Sequence, residues 1–172
     1  MTEERAGARL EPPSRRVWLL ITRRGMWDQF RESGKWAFHH HSIPRAKNLA
    51  PGDLACVYLT KERGKLPSSL VALIEVVDRG SLEQPPNGVS SFYPFHVPFT
   101  YLTEVRPAVL FSEVVPSLEF VKRKERYGVF IQGKSAILLS CHDARVVAEA
   151  ILKSNLTSLA RKQLGNTLNA TR

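Results

Sequence analysis

A chain of 172 residues carries 25 Lys and Arg against 16 Asp and Glu, a formal net charge of +9, with 43% hydrophobic and 24% charged residues. That length supports one compact domain and argues against two, and the ordinary hydrophobic content excludes wholesale disorder. A positive balance of this size favours polyanionic partners, nucleic acid or an anionic membrane surface, through counterion release, although a merely basic surface would have the same composition.

Residues 1–16, "MTEERAGARLEPPSRR", read as a flexible basic leader without a signal-peptide apolar region. Order is expected from "VWLLI" at 17–21, a strand-length apolar run buried on both faces. "TRRGMWDQFRESG" places Met26, Trp27 and Phe30 at helical spacing, with Thr22 as a candidate cap and Gly34 as the stop. Pro44 starts another helical turn, "PRAKNL", and Pro51-Gly52 turns the chain into the strand "DLACVYL". A basic connection, "TKERGKLPSS", joins it to "LVALIEVV", predicted to be its antiparallel neighbour.

After the surface loop "DRGSLEQPPNGVSS", Phe95, Val97, Phe99 and Tyr101 alternate as in a half-buried strand, with Pro98 putting it near an edge or a bulge. "LEFVKRKERYGVFIQGKSAILLS" flanks the basic run 122–126 with apolar clusters. "CHDARVVAEAIL" then shows Ala144, Val147 and Ile151 on one helical face, with Ser140 or Asp143 as cap. The domain is expected over 17–153, with a helical or frayed tail at 154–172. Short strands with helices near both ends, and no internal repeat, predict an α+β fold: a small curved sheet closing toward a barrel.

The chemistry-bearing residues argue mainly for binding. No G-x-S-x-G, P-loop or H-E-x-x-H motif is present, and adjacent Cys141 and His142 do not make a catalytic pair, so neither an enzyme nor a cofactor is expected. Cys56 and Cys141 read as reduced, buried thiols of a cytoplasmic protein. No apolar run approaches the ~18 residues of a membrane span. Three consecutive histidines, His39, His40 and His41, fan out and rarely converge on one ion, so no metal is expected. Asp53 is expected to orient the Pro-Gly turn. Basic residues recur beside aromatics: Arg23 and Arg24 before Trp27, Lys35 before Trp36, Lys122, Arg123, Lys124 and Arg126 before Tyr127. Aromatic faces stack on bases while cations hold phosphates, and these cations, with Arg45, are the candidate phosphate contacts.

"WLLIT", then a helix and Trp36, then Asn48 with "PGDLACVYL", "LVALIEVV", "YPFHV" and "LEFVKRKERYGVFIQG", in that order, resemble the EVE domain. The resemblance implies a PUA-like β-barrel with flanking helices, related in architecture to the YTH readers. It also implies a reader without chemistry, one that binds a modified nucleobase, such as 5-methylcytosine in DNA, flipped into an aromatic pocket. A PUA-like module acting on tRNA or rRNA is the alternative. Carried over by position, Trp36 is the stacking wall, and Asn48, Tyr58, Tyr93, Phe95 and Tyr127 are pocket candidates, with His39 beside them. On this reading Trp36→Ala should abolish selective binding without disturbing the fold. Ala37 stands where the family often has glycine and His96 where arginine is expected.

Overall fold

Four consecutive buried residues, Trp18 to Ile21, lie in β1 (Val17–Thr22), which is paired on both sides. β3 (Leu54–Leu59) runs parallel to it and β7 (Ala136–Leu138) antiparallel. Alternation decides where each side chain goes: Trp18 and Leu20 enter one core layer, Leu19 and Ile21 the other. The computed structural model describes residues 15–62, 67–83 and 92–169. The leader up to position 14 lies outside these, as do parts of the connection at 60–69 and of the loop at 78–91.

Among the described residues the sheet has seven strands in the order β2 (Lys35–Phe38), β6 (Phe95–Leu110), β4 (Ser69–Val76), β3, β1, β7, while β5 (Ser81–Leu82) pairs with β6 off this path. β3 and β4 are antiparallel neighbours as predicted. β6 is 16 residues long and serves its partners in turn: residues 95–98 pair with β2, residues 99–110 with β4. Pro98 sits at this handover, its carbonyl accepting from Val77 N at 3.1 Å, so its missing N–H falls between two ladders. Register shifts along β4 and β6 add twist, and the mixed sheet curls into a half-barrel flanked by helices.

α1 (Arg24–Ser33) buries Trp27 and Phe30 and ends at Gly34, whose φ of 66° suits a residue without Cβ. Arg23, not Thr22, takes the N-cap position, because Thr22 is the last rung of β1 opposite Leu59. A 3₁₀ turn (His40–Ser42) leads into α2 (Ile43–Ala46), with Pro44 in its first turn. Asp53 is 5% exposed and accepts from Trp18 Nε1 at 2.9 Å, Ala50 N at 3.0 Å, and Arg16 Nη2 and Nε at 2.8 and 3.1 Å. It therefore ties the entry of β1 to the Pro-Gly turn.

One core layer contains Trp18, Trp27 and Trp36 with Phe30, Phe38 and Phe95. The other is more aliphatic, takes Phe111 and Val114 from α3 (Phe111–Val114) and Ile131 from α4 (Gly128–Ile131), and packs under α5 (Cys141–Asn169) through Val147 and Ile151. Ser140 Oγ accepts from Asp143 N at 3.1 Å as the cap of α5. Asp143, buried, instead holds the preceding segment, accepting from Glu119 N at 2.6 Å and Phe120 N at 3.3 Å. The backbone of α5 continues without a break past position 153. Cys56 is fully buried, and burial pushes its thiol up to about 12. Cys141 corrects the sequence expectation: it begins α5 facing solvent and is exposed. No helix among the described residues is long and apolar enough to cross a membrane.

Candidate nucleic-acid interface

The parallel strands β1 and β3 end side by side, with Thr60 N donating to Thr22 O at 2.9 Å. Beyond these ends the chain diverges into α1 on one side, while residues 133–135 approach from the other, Ser135 O accepting from Ile21 N at 2.9 Å. β2 and the histidine turn close the third side. The result is a cleft of about 380 Å³, within the ~300–1,000 Å³ of small-ligand sites. Phe30, Trp36, His39 and Tyr93 supply rings, Thr22, Ser42, Thr60 and Ser135 supply hydroxyls, and Arg23 and Lys134 supply positive charge. Among the described residues, none that lines it is acidic.

The cleft is the centre of a longer trough. A depression of about 630 Å³ shares Ser42, Gly133, Lys134 and Ser135 with it and adds His41, Arg45 and Asn48. A second, of about 360 Å³, shares Arg23, Met26 and Tyr93 and adds Gly25 and Glu62. Arg23, Lys134 and Arg45 thus mark out a cationic track through an aromatic cleft. Arg45 is steadied by donating Nη1 to Ala136 O at 3.1 Å. Gly133, with φ 73°, makes the turn that presents Lys134.

The histidines do not converge. His39 is stacked on His41, centroids 5.0 Å apart and planes 26° apart, while His40 meets it edge-on. His39 also lies nearly parallel to Phe92, at 6.4 Å and 13°, and edge-on to Tyr93 at 5.8 Å. Its Nδ1 accepts from His41 N at 3.4 Å, a long bond that caps the 3₁₀ turn. Among the described residues no group of three or more His, Cys, Asp or Glu is placed to hold a metal ion.

A relay fixes Tyr93 at the rim. His96 Nε2 lies 2.9 Å from Tyr93 O, His96 Nδ1 lies 3.0 Å from Glu83 Oε2, and Lys35 Nζ donates to Glu83 Oε1 at 2.7 Å. The hydrogen bond from Lys35, helped by the charge of His96, holds the Glu83 carboxyl below the usual range. His96, where arginine was expected, belongs to this relay. So does Lys35, whose ammonium is engaged with Glu83.

Of the residues singled out from sequence, the structure brings Trp36, His39, Tyr93 and Arg23 together at the cleft, with Asn48 and Arg45 in the adjoining depression. Trp36 is 1% exposed and packed 4.9 Å from Phe30 and 6.1 Å from Trp27, so it is the floor of the cleft and part of the core. The expectation that Trp36→Ala would spare the fold is therefore corrected.

Tyr58, Phe95 and Tyr127 do not line the cleft. Strand alternation sends Tyr58 with Cys56 into the opposite layer, edge-on to Phe111 at 4.7 Å, where burial pushes its phenol up. Phe95 is 3% exposed in the core beneath the rim, its neighbour His96 facing the relay instead. Tyr127 shares a 3.1 Å hydrogen bond with Ser68 and packs on Phe111. Lys122, Arg123 and Arg126 are exposed but line neither the cleft nor its two extensions. Lys124 is turned back to donate to Leu118 O. Arg24 borders a separate depression with Asp28 and Arg31. Sequence reasoning missed Thr60, Lys134 and Ser135. The signal for the last two was a glycine turn bearing a lysine, "QGKS", before a short apolar strand.

No family model matches the chain. A UPF0310 protein of Pyrococcus horikoshii is 25% identical over 151 residues, covering 78% of this chain and 98% of the relative. The structure of human THYN1 in complex with DNA containing 5-methylcytosine superposes with a TM-score of 0.57 at 11% identity, covering 79% of this chain and 97% of the solved THYN1 chain. The YTH domain-containing protein mmi1, in an RNA complex, gives 0.57 at 9% identity, covering 84% and 86%. The chain has the PUA-like fold. That is the fold the EVE-like sequence pattern implied.

Proposed function

We propose that this protein is a non-catalytic EVE-type reader that binds nucleic acid and takes one modified nucleobase, modified cytosine in DNA, into the cleft at the ends of β1 and β3. The observation that carries the reading is the cleft itself, an aromatic cavity whose lining, among the described residues, holds two cations and no carboxylate. The neighbouring folds support it, since THYN1 is described with 5-methylcytosine DNA and mmi1 with RNA.

A base leaving its stack costs a few kcal/mol, recovered by ring contacts and by hydrogen bonds to its Watson–Crick edge. His39 and Tyr93 supply the rings at the mouth, Trp36 the floor, and the hydroxyls of Thr22, Ser42, Thr60 and Ser135 the adaptable donors and acceptors. A methyl group on the base buried beside Met26 and Ala37 adds on the order of ~0.8 kcal/mol. Arg23 and Lys134 meet the flanking phosphates, giving affinity that is salt-dependent and independent of sequence.

Fluorescence anisotropy at fixed salt tests this with matched DNA and RNA oligonucleotides, unmodified or carrying methylated or hydroxymethylated cytosine or methylated adenine. The reading expects one modified base to bind more tightly and His39→Ala with Tyr93→Ala to remove that preference. Uniform, purely salt-driven binding would overturn it. The mmi1 complex favours RNA as a partner; a second reading is therefore an RNA-binding module, with tRNA or rRNA as the proposed target, and tighter binding of a structured RNA than of any DNA would select it.

A further inference from the structure

Phe92 stands one residue before Tyr93 and is 75% exposed, the most exposed of the large hydrophobic side chains described. A single exposed phenylalanine needs no explanation. This one belongs to a cluster of near-parallel rings: Phe92 lies within 13° of parallel to His39 at 6.4 Å, and His39 within 26° of His41 at 5.0 Å. Its ring lies 6.4 Å, centroid to centroid, from the His39 ring at the mouth of the cleft while three quarters of the residue is open to solvent. The neighbouring backbone is fixed by the relay from Lys35 through Glu83 and His96 to Tyr93 O.

We propose that Phe92 is a second nucleotide subsite: the base adjacent to the one held in the cleft stacks on its exposed ring, beside the His39 and His41 rings. This rests on the reader function proposed above and adds a ligand that the cleft alone does not require. Arg23 borders both the cleft and the depression beside it, each time with Tyr93. A guanidinium there meets the phosphate joining the two bases. Phe92 presents a face and no hydrogen-bonding edge, so the subsite adds affinity without choosing the neighbouring base, as aromatic platforms for single strands do.

The test uses the full chain and four probes: 5-methyldeoxycytidine, a single-stranded oligonucleotide with one 5-methylcytosine between ordinary bases, and the same strand made abasic on the 5′ side and, separately, on the 3′ side. Base–aromatic stacking predicts that wild-type protein loses roughly five- to a hundredfold in affinity when the abasic site falls on the platform side. Phe92→Ala should show that loss with the intact strand, no further loss with the abasic one, and unchanged nucleoside binding; Phe92→Trp should retain full affinity. The proposal is overturned if Phe92→Ala binds the intact strand like wild type, or weakens nucleoside and strand equally. Failure of wild-type protein to bind the oligonucleotide at all would instead remove the reader function beneath it. Because the side chain is exposed, thermal unfolding of both variants should match wild type.

Discussion

Two regions of this molecule carry the same local signature, cations beside aromatic rings, and the fold treats them oppositely. Around β1, α1 and β2, Arg23 and the histidine turn border a cleft in which Trp36, His39 and Tyr93 face a common space. Around residues 122–127 the tyrosine is packed on Phe111 and hydrogen-bonded to Ser68, and Lys124 is turned back on Leu118 O. The first region lies where two parallel strands end and their connections diverge, which leaves a crevice. The second borders the core layer covered by α5, where the ring is packed in. Composition marks cations near rings; topology decides whether a cavity separates them.

Substitutions that treat the two regions alike measure this contrast. The largest effect is expected from Trp36→Ala, which removes a floor residue of the cleft that also belongs to the core. Denaturant unfolding should show a loss of about 3–5 kcal/mol, as for large buried aromatics elsewhere, with binding falling alongside. Intact stability would mean that the tryptophan is a free wall after all. Next, Arg23→Ala combined with Lys134→Ala should lower the slope of log affinity against log salt by roughly 2, one for each phosphate contact. Lys122→Ala with Arg126→Ala should change it less. An equal change from the second pair would carry the phosphate track round to the other region and dissolve the contrast.

A smaller effect concerns pH. Glu83 has a folded-state pKa below its unfolded value, chiefly through Lys35. Its stabilising contribution is therefore complete above the unfolded value and is lost as pH falls through the lower, folded one. Tyr93 resonances followed by NMR should shift below the ordinary carboxylate range, and Glu83→Gln should abolish that titration. A titration unchanged in the variant would detach Tyr93 from the relay. The least effect on binding is expected from thiol modification. A thiol reagent should label Cys141 in the native protein and reach Cys56 only on unfolding. Rapid labelling of two thiols would contradict the packing around β3.

Much of the scaffold was legible because burial writes itself into local pattern. The unbroken apolar run of β1, the helical spacing of Trp27 and Phe30, and the Pro-Gly-Asp turn each have a nearby cause. β2 is only four residues long and β7 three, and their pairing is set by distant partners on β6 and β1. Nothing in "KWAF" or "AIL" alone specifies that. The site was legible where the chain approaches it directly, at Arg23, Trp36, His39 and Tyr93. Thr60 and Lys134 reach it from later segments, through sheet contacts that no local window contains. Tyr58 was misplaced for the opposite reason: the strand was evident, but which face of it met the cleft depended on the parallel register with β1.

That register has one more consequence. Among the described strands β1 and β3 are the parallel pair, so the chain leaving β1 must cross back before β3 begins. This crossover contains α1, β2, the histidine turn and α2, and with them Arg23, Trp36, His39, Arg45 and Asn48. It is held at both ends, by the Thr22–Thr60 rung and by the Asp53 clasp on Trp18, and along its length by the β2–β6 pairing and by Trp27, Phe30 and Trp36 in the core. One continuous stretch of chain therefore supplies both a core layer and much of the cleft lining, so a substitution that reshapes the cleft from this side must also be accommodated by the β6 edge it pairs with.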